Sequence, residues 1–356
     1  MVERVYLDWN ATAPLRAEAK AAMVAAMDVV GNPSSVHGEG RAAKAVVEKA
    51  RAQVAAAVGC DVSEVVFTSG ATEAAAILEG LPAGHAVFVQ DTGHECLWAH
   101  ADFDGAADHG HVLAMGLANG ETGVVTQPSA RVDGRFAFGD RFADWLVLDI
   151  TQAVGRVPFA FNWSEADFAI LSAHKLGGPK GVGALIARSG KEFDPLLRGG
   201  GQELGRRSGT ENIVGIAGFG AAAEAAVAEL ADGTWEKVAE RRDFLESALA
   251  AGSKHTIFVG NESERLPNTC CFATPGWRGE TQVMQMDLAG FAISAGSACS
   301  SGKVRASRVL GAMGLDDALA SCAVRVSMGA TTTDEDIERF ADAWLAAHER
   351  MRARAA

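Results

Sequence analysis

The stretch Asp167-Phe-Ala-Ile-Leu-Ser-Ala-His174-Lys175-Leu-Gly-Gly-Pro-Lys-Gly-Val-Gly183 opens with an apolar run, Phe168 to Leu171, that reads as a short buried strand. Ser-Ala-His-Lys follows at once, then a turn built from Gly177, Gly178, Pro179 and Gly181. Lysine is scarce in this chain, with nine residues against 23 arginines. A lysine at the end of a buried strand loses part of the solvation of its ammonium. Its pKa then falls and it becomes an amine nucleophile of the kind that forms Schiff bases. The same residues also fit a lysine in a surface turn beside a glycine-rich loop, and the segment alone does not decide between the two.

Neighbouring segments add chemistry of the same kind. Trp145-Leu-Val-Leu-Asp149 is a buried strand ending in a carboxylate, with Thr151, Gln152 and Gly155 just after it. Ligands of α/β sheets gather at the C-terminal ends of strands, and a buried Asp is costly unless it meets a cation. Val65-Val-Phe67-Thr-Ser-Gly70-Ala71-Thr72-Glu73 reads as strand, turn and helix start. It is either a simple capped helix or a phosphate site made by free N–H groups and a helix dipole. Ala86 to Gln90 is a further strand with His94 just past its end. Each of these groups follows a strand in an alternating β/α pattern, which predicts a mainly parallel sheet presenting them at one edge. A phosphate cradle, a carboxylate for a ring nitrogen and a Schiff-base lysine are what pyridoxal 5'-phosphate requires of a protein.

At 356 residues the chain has length for two domains. Its 48% hydrophobic and 22% charged residues are those of a globular protein. A net charge of −13 disfavours nucleic acid and anionic membrane as partners. Met1-Val-Glu-Arg leads directly into a strand-like segment, no apolar run is expected to reach membrane-spanning length, and the six cysteines lack zinc-type pairs. The expectation is a cytoplasmic protein with reduced thiols and no metal site. A His/Asp-rich patch (His100, Asp102, Asp104, Asp108, His109, His111) fits a solvated loop better than a metal site, though its residue types would serve either. Arg325 is the one charge in the strand Ala323-Val-Arg-Val-Ser-Met, unusual unless it meets a carboxylate ligand. Ser294-Ala-Gly-Ser-Ala-Cys299-Ser-Ser-Gly302 reads as a polar loop of small residues presenting one thiol, as suits a thiolate that must reach a substrate sulfur and then swing outward. Cys270, Cys271 and Cys322 better fit buried, inert positions.

Taken together, Gly31-Asn-Pro-Ser-Ser, Thr68-Ser-Gly-Ala-Thr-Glu, Asp149-Ile-Thr-Gln, Ser172-Ala-His-Lys, Arg207-Ser-Gly-Thr210 and the Cys299 segment resemble the cysteine desulfurases, in the fold-type I, class V aminotransferase group. The resemblance implies an α/β fold with a large domain over 15–230, built on a mainly parallel sheet of the seven-stranded type. A smaller α+β domain of 1–14 and 231–356 would carry the reactive-cysteine loop. Lys175 would hold pyridoxal phosphate as a Schiff base and move the Cα proton. Asp149 would pair with the ring nitrogen, Gln152 with the phenolic oxygen, and His94 would stack on the ring and assist proton transfer. Ala71, Thr72, Ser172 and His174 would hold the phosphate, joined by Thr210 of a second subunit in a homodimer. Arg325, helped by Asn32, would clamp the carboxylate of L-cysteine, and Cys299 would take its sulfur as a persulfide. The products would be L-alanine and sulfur for an iron–sulfur scaffold or a tRNA-thiolation acceptor protein, since the loop resembles the long-loop class. A selenocysteine lyase-like or other class V lyase, and a catalytically impaired homologue acting through partners, are the alternatives. The chain departs from the family at Gly120, where Asn119-Gly-Glu121 replaces Asn-Asn-Glu and leaves Asn119 as the substitute donor to the cofactor. It also departs in the interval from His94 to Asn119, about half the expected length.

Overall fold

The computed structural model describes residues 4–81, 85–102, 110–195, 197–296 and 307–355. Cys299, and Asp104, Asp108 and His109 of the His/Asp patch, lie outside the described residues. The chain divides into two units, one of Ala13–Ala118 and Thr126–Leu230, the other of Met1–Thr12, Asn119–Val125 and Ala231–Ala356. The excursion of Asn119–Val125 into the second unit has no counterpart in the sequence reading.

The larger unit is built on a six-stranded sheet. Its strands are β1 (Val65–Thr68), β2 (Ala86–Val89), β3 (His111–Gly116), β4 (Trp145–Asp149), β5 (Phe168–Ser172) and β6 (Gly183–Ala187), in the order β1-β6-β5-β4-β3-β2. The pairs β2–β3, β3–β4 and β4–β5 are parallel, while β6 runs antiparallel to both neighbours. Mainly parallel strands covered on both faces explain the continuous apolar runs, for every residue of β1, β2, β5 and β6 is buried. The expected seventh strand is absent among the described residues. Between β2 and β3 the described chain forms only the four-residue helix Glu95–Trp98, too short to carry a full crossover helix and a further strand.

Ile213–Ala231 is apolar enough and, at 19 residues, long enough to cross a membrane, which corrects the reading that no run reaches that length. Its composition explains why it is a core helix. Gly and Ala let backbones approach, and a Cβ on Gly220 would stand 2.6 Å from Ala50 Cα of the helix Gly38–Val58. Phe219 meets Phe67 of β1 edge-on, with ring centroids 6.2 Å apart. A buried bidentate pair adds to this face: Arg51 donates to both oxygens of Glu203 at 2.7 and 2.8 Å, and the Phe67 N–H donates to Glu203 at 3.0 Å.

The smaller unit carries a four-stranded antiparallel sheet in the order Ile257–Phe258, Thr269–Ala273, Ala323–Ser327, Ser294–Ala295. Val5–Tyr6 pairs in parallel with Phe291–Ala292. The final helix Asp334–Ala355 buries Trp344 against Phe272 and Trp277, with the indole N–H donating to Gln282 at 2.9 Å.

The close helix contact at Gly220 makes a prediction. Gly220→Val should lower stability by ~1–3 kcal/mol through overpacking against Ala50, read as a fall in the urea midpoint at unchanged slope.

Candidate active site

In the larger unit, the sequence-predicted groups converge at the ends of β1, β4 and β5. Gly183, the first residue of β6, is the register partner of both Thr68 and Ser172. A Cβ at Gly183 would stand 2.4 Å from the Leu171 carbonyl and 2.6 Å from Gly70 Cα, so only glycine lets the turn after β1 fold over this strand. Gly70 then caps the helix Ala71–Ala75. The Ala71 N–H, expected to face a phosphate, donates to Ser172 Oγ at 2.9 Å. Ser172 therefore ties the helix start to the end of β5. First-turn N–H groups such as those of Thr72 and Glu73 have no partner within a helix, and Thr72 is exposed.

After β5 the chain makes one turn of 3₁₀ helix, Ala173–Lys175, that carries His174 and Lys175, both half-buried. Burial, and then the charges of Lys175 and Lys180, push the His174 imidazole down to about 4, so it is neutral at physiological pH. At the end of β4, Asp149 Oδ1 accepts from the Thr151 N–H at 2.9 Å. The Thr151 hydroxyl is buried with no hydrogen-bond partner. His94 caps the helix Glu95–Trp98, its Nδ1 accepting from the Cys96 N–H at 3.2 Å, which leaves the proton of the neutral ring on Nε2. Ligand atoms of His94, Cys96 and Asp149 lie within 4.8 Å of one another, so the structure does bring the predicted histidine and carboxylate together. The Cys96 thiol is pushed up by burial and then by Asp149, which keeps it protonated and inert.

Gln152 is held by a residue that the sequence reading passed over. Arg156, 4% exposed, donates to Gln152 Oε1 at 2.6 Å and to the carbonyl of Lys175 at 2.8 Å. An arginine after a glycine in a turn reads as a surface charge, and no pattern in the sequence marks it otherwise. Thr210 is exposed, as is Asn32, whose Oδ1 accepts from the Ser34 N–H at 2.9 Å.

In the smaller unit, Arg325 sits mid-strand between Cys271 and Ser294. It donates to Asp8 Oδ1 at 2.6 Å and to the Gly120 carbonyl at 2.9 Å, while its Nε is buried with no hydrogen-bond partner. The Gly120 carbonyl also accepts from Asn10 Nδ2 at 3.0 Å. Asn119 belongs to this unit, and its Oδ1 accepts from the Glu121 and Thr122 N–H groups at 2.9 Å each, the geometry of a turn cap. Glu121, not singled out in the sequence, is half-buried, with its Oε1 covered from solvent. Burial pushes it up to about 7, against the Ser307 hydroxyl, which donates to it at 2.7 Å, and the charges of Arg325 and Arg308.

The sequence profile of the family described as aminotransferase class-V matches residues 5–107 and 106–340. The chain belongs to that family. It is 38% identical over 372 positions to a cysteine desulfurase of Cereibacter sphaeroides, covering 95% of this chain and 94% of the relative. It is 33% identical over 384 positions to the cysteine desulfurase IscS of Dictyoglomus turgidum, covering 99% and 96%. Both alignments are longer than the 356 residues of the chain, so these relatives carry residues that it lacks. Among solved structures, a NifS-like protein superposes with a TM-score of 0.86 at 29% identity, covering 97% of this chain and 99% of that one. A NifS-like protein from Rickettsia africae ESF-5 gives 0.83 at 28%, covering 98% and 100%.

Half-buried Glu121 yields a pH prediction. The folded protein keeps this proton to a higher pH than the unfolded chain does, so stability falls as pH rises from the ordinary 4.5 through about 7. Glu121→Gln should therefore be more stable than the parent at about pH 8, by ~2 kcal/mol, with the gap closing towards the acid end. Denaturant titrations across that range would measure it, and a constant gap would show that Glu121 is not the group responsible.

Proposed function

We propose that the protein is an L-cysteine desulfurase that uses pyridoxal 5'-phosphate, releases L-alanine and leaves a persulfide on Cys299. The observation that carries this reading is the meeting of Lys175, Asp149 and the Gly70 turn at the ends of β5, β4 and β1 of one sheet, in a chain whose relatives are named cysteine desulfurases. The groups present suit the cofactor. Asp149 offers a carboxylate for its ring nitrogen, Gln152 an amide for its phenolic oxygen, and Lys175 an amine for its aldehyde. For its phosphate, Thr72 and Ser172 offer hydroxyls and His174 a neutral imidazole, with Ala71 serving through Ser172. When bound, the cofactor supplies an electron sink for the substrate's α-carbon.

Within that reading, Asp149 holds the ring nitrogen protonated, Lys175 moves the α-proton, and His94, with its proton on Nε2, assists proton transfer. Arg325 takes the substrate carboxylate with its Nε–H, Asp8 and the Gly120 carbonyl having fixed the guanidinium beforehand, and Asn32 assists. The Cys299 thiolate attacks the substrate sulfur. The carbon–sulfur bond breaks, the sulfur stays on Cys299 as a persulfide, and the carbon takes a proton to become the methyl group of alanine. A sulfur-acceptor protein then discharges Cys299. The protein acts as a homodimer in which the exposed Thr210 of one subunit serves the phosphate of the other.

Two measurements test this. In a single turnover with L-cysteine, the Cys299 peptide should gain the mass of one sulfur atom, with one alanine per subunit. Alanine without that adduct would point to a lyase releasing free sulfide, and neither product would refute the enzyme reading. Arg325→Lys, which keeps the charge but loses the fork, should raise KM for L-cysteine by roughly 10–100-fold with a smaller change in kcat.

A further inference from the structure

Arg156 lies in the turn that follows β4, where Gly155 adopts a left-handed φ of 73° and the Arg156 N–H donates to the Ala153 carbonyl at 3.0 Å. Its guanidinium reaches two groups on different segments, the side chain of Gln152 and the main chain of Lys175. A primary amide has an accepting end and a donating end of nearly the same shape, so packing alone does not choose between its two orientations. A guanidinium has no acceptor, so the end of Gln152 that meets it is the carbonyl. Nε2, the donating end, is then the one turned away from Arg156. The second bond holds the carbonyl of Lys175, the residue from which the amine projects.

We infer that Arg156 is a positioning residue that orients the Gln152 amide as a donor towards the cofactor's phenolic oxygen and braces the main chain of Lys175. This rests on the cofactor reading above and goes beyond it, in assigning to a buried arginine the choice between a donor and an acceptor at that oxygen. The consequence is spectroscopic. A donor stabilises the phenolic oxyanion and weakens its hold on the neighbouring proton, so the visible absorption of the bound cofactor changes form at a lower pH with the donor in place than without it.

The experiment is a pH titration of that visible band in the holoprotein, its Arg156→Met and Gln152→Leu variants, and the double variant. Asp149, His94, His174 and Lys175, the other titratable groups at these strand ends, are the same in every arm. Each single variant should raise the pH midpoint by about one unit, the size of one hydrogen bond to a charged group. The double variant should go no higher than Gln152→Leu alone, because Arg156 acts through Gln152. If the Arg156→Met shift persists in full in the Gln152→Leu background, the charge acts directly and the inference fails. It fails equally if Arg156→Met leaves the midpoint unmoved. Should Arg156→Met not fold, Arg156→Gln brings an acceptor as well as donors and so no longer chooses the orientation of the Gln152 amide, and a midpoint equal to that of the parent would overturn the inference. A parent protein with no visible band would sink the cofactor reading and this inference with it. A normal parent titration that ignores Arg156 would sink the inference alone.

Discussion

Gly183 is in register with Thr68 on one side and Ser172 on the other, and the rest of the larger unit's site depends on its lacking a side chain. The short return from Lys175 to β6 makes β6 an antiparallel insert in a sheet whose other neighbours are parallel. Antiparallel neighbours are joined by tight turns, whereas parallel ones need long crossovers. The lysine therefore sits in a short, hydrogen-bonded connection rather than at the open start of a crossover. With Gly70 resting on Gly183, the Ala71 N–H reaches Ser172, and the 3₁₀ turn that follows Ser172 sets His174 and Lys175. Residues about a hundred positions apart in sequence are thus held by one missing methyl group.

In each unit an arginine fixes a functional turn through its main chain. Arg156 holds the carbonyl of Lys175, and Arg325 holds the carbonyl of Gly120. Main-chain acceptors are indifferent to the side chain that follows them. With glycine at position 120, the bonds from Arg325 and Asn10 to its carbonyl are made without any side chain there. The side-chain Oδ1 of Asn119 is meanwhile engaged in closing its own turn. The cost of burying charge is met differently in the two places. His174 gives up its proton, whereas Arg325 keeps its charge beside Asp8.

Much of the larger unit was legible because its signals are local. Apolar runs ending in His94, Asp149 and Ser172–Lys175 declare both a strand and its end, and in an alternating β/α chain strand ends share an edge. Less was legible where meaning comes from distant partners. Arg156 looks like a turn residue until Gln152 and Lys175 are seen on either side of it. Glu121 looks solvated until Ser307 and Arg325 close around it. The short interval from His94 to Asn119 marks a missing element without saying which, and the membrane-length helix Ile213–Ala231 is the one run misread, for a related reason. Strand number depends on what a shortened connection leaves out, and an Ala- and Gly-rich helix is weakly apolar residue by residue yet apolar in sum.

Neither unit is a continuous piece of chain, since residues 119–125 and both ends belong with the smaller one. Val5–Tyr6 pairs with Phe291–Ala292, so during synthesis this strand waits for a partner made roughly 280 residues later. At about 5–20 residues per second, that wait is on the order of 15–60 s. Throughout it the apolar Val5 and Leu7 are without their native cover. The larger unit has every strand of its sheet translated long before then. The order of synthesis thus favours a chain in which the lysine-bearing sheet is already folded when the arginine-bearing one closes, with Val5–Tyr6 left waiting for its partner until then.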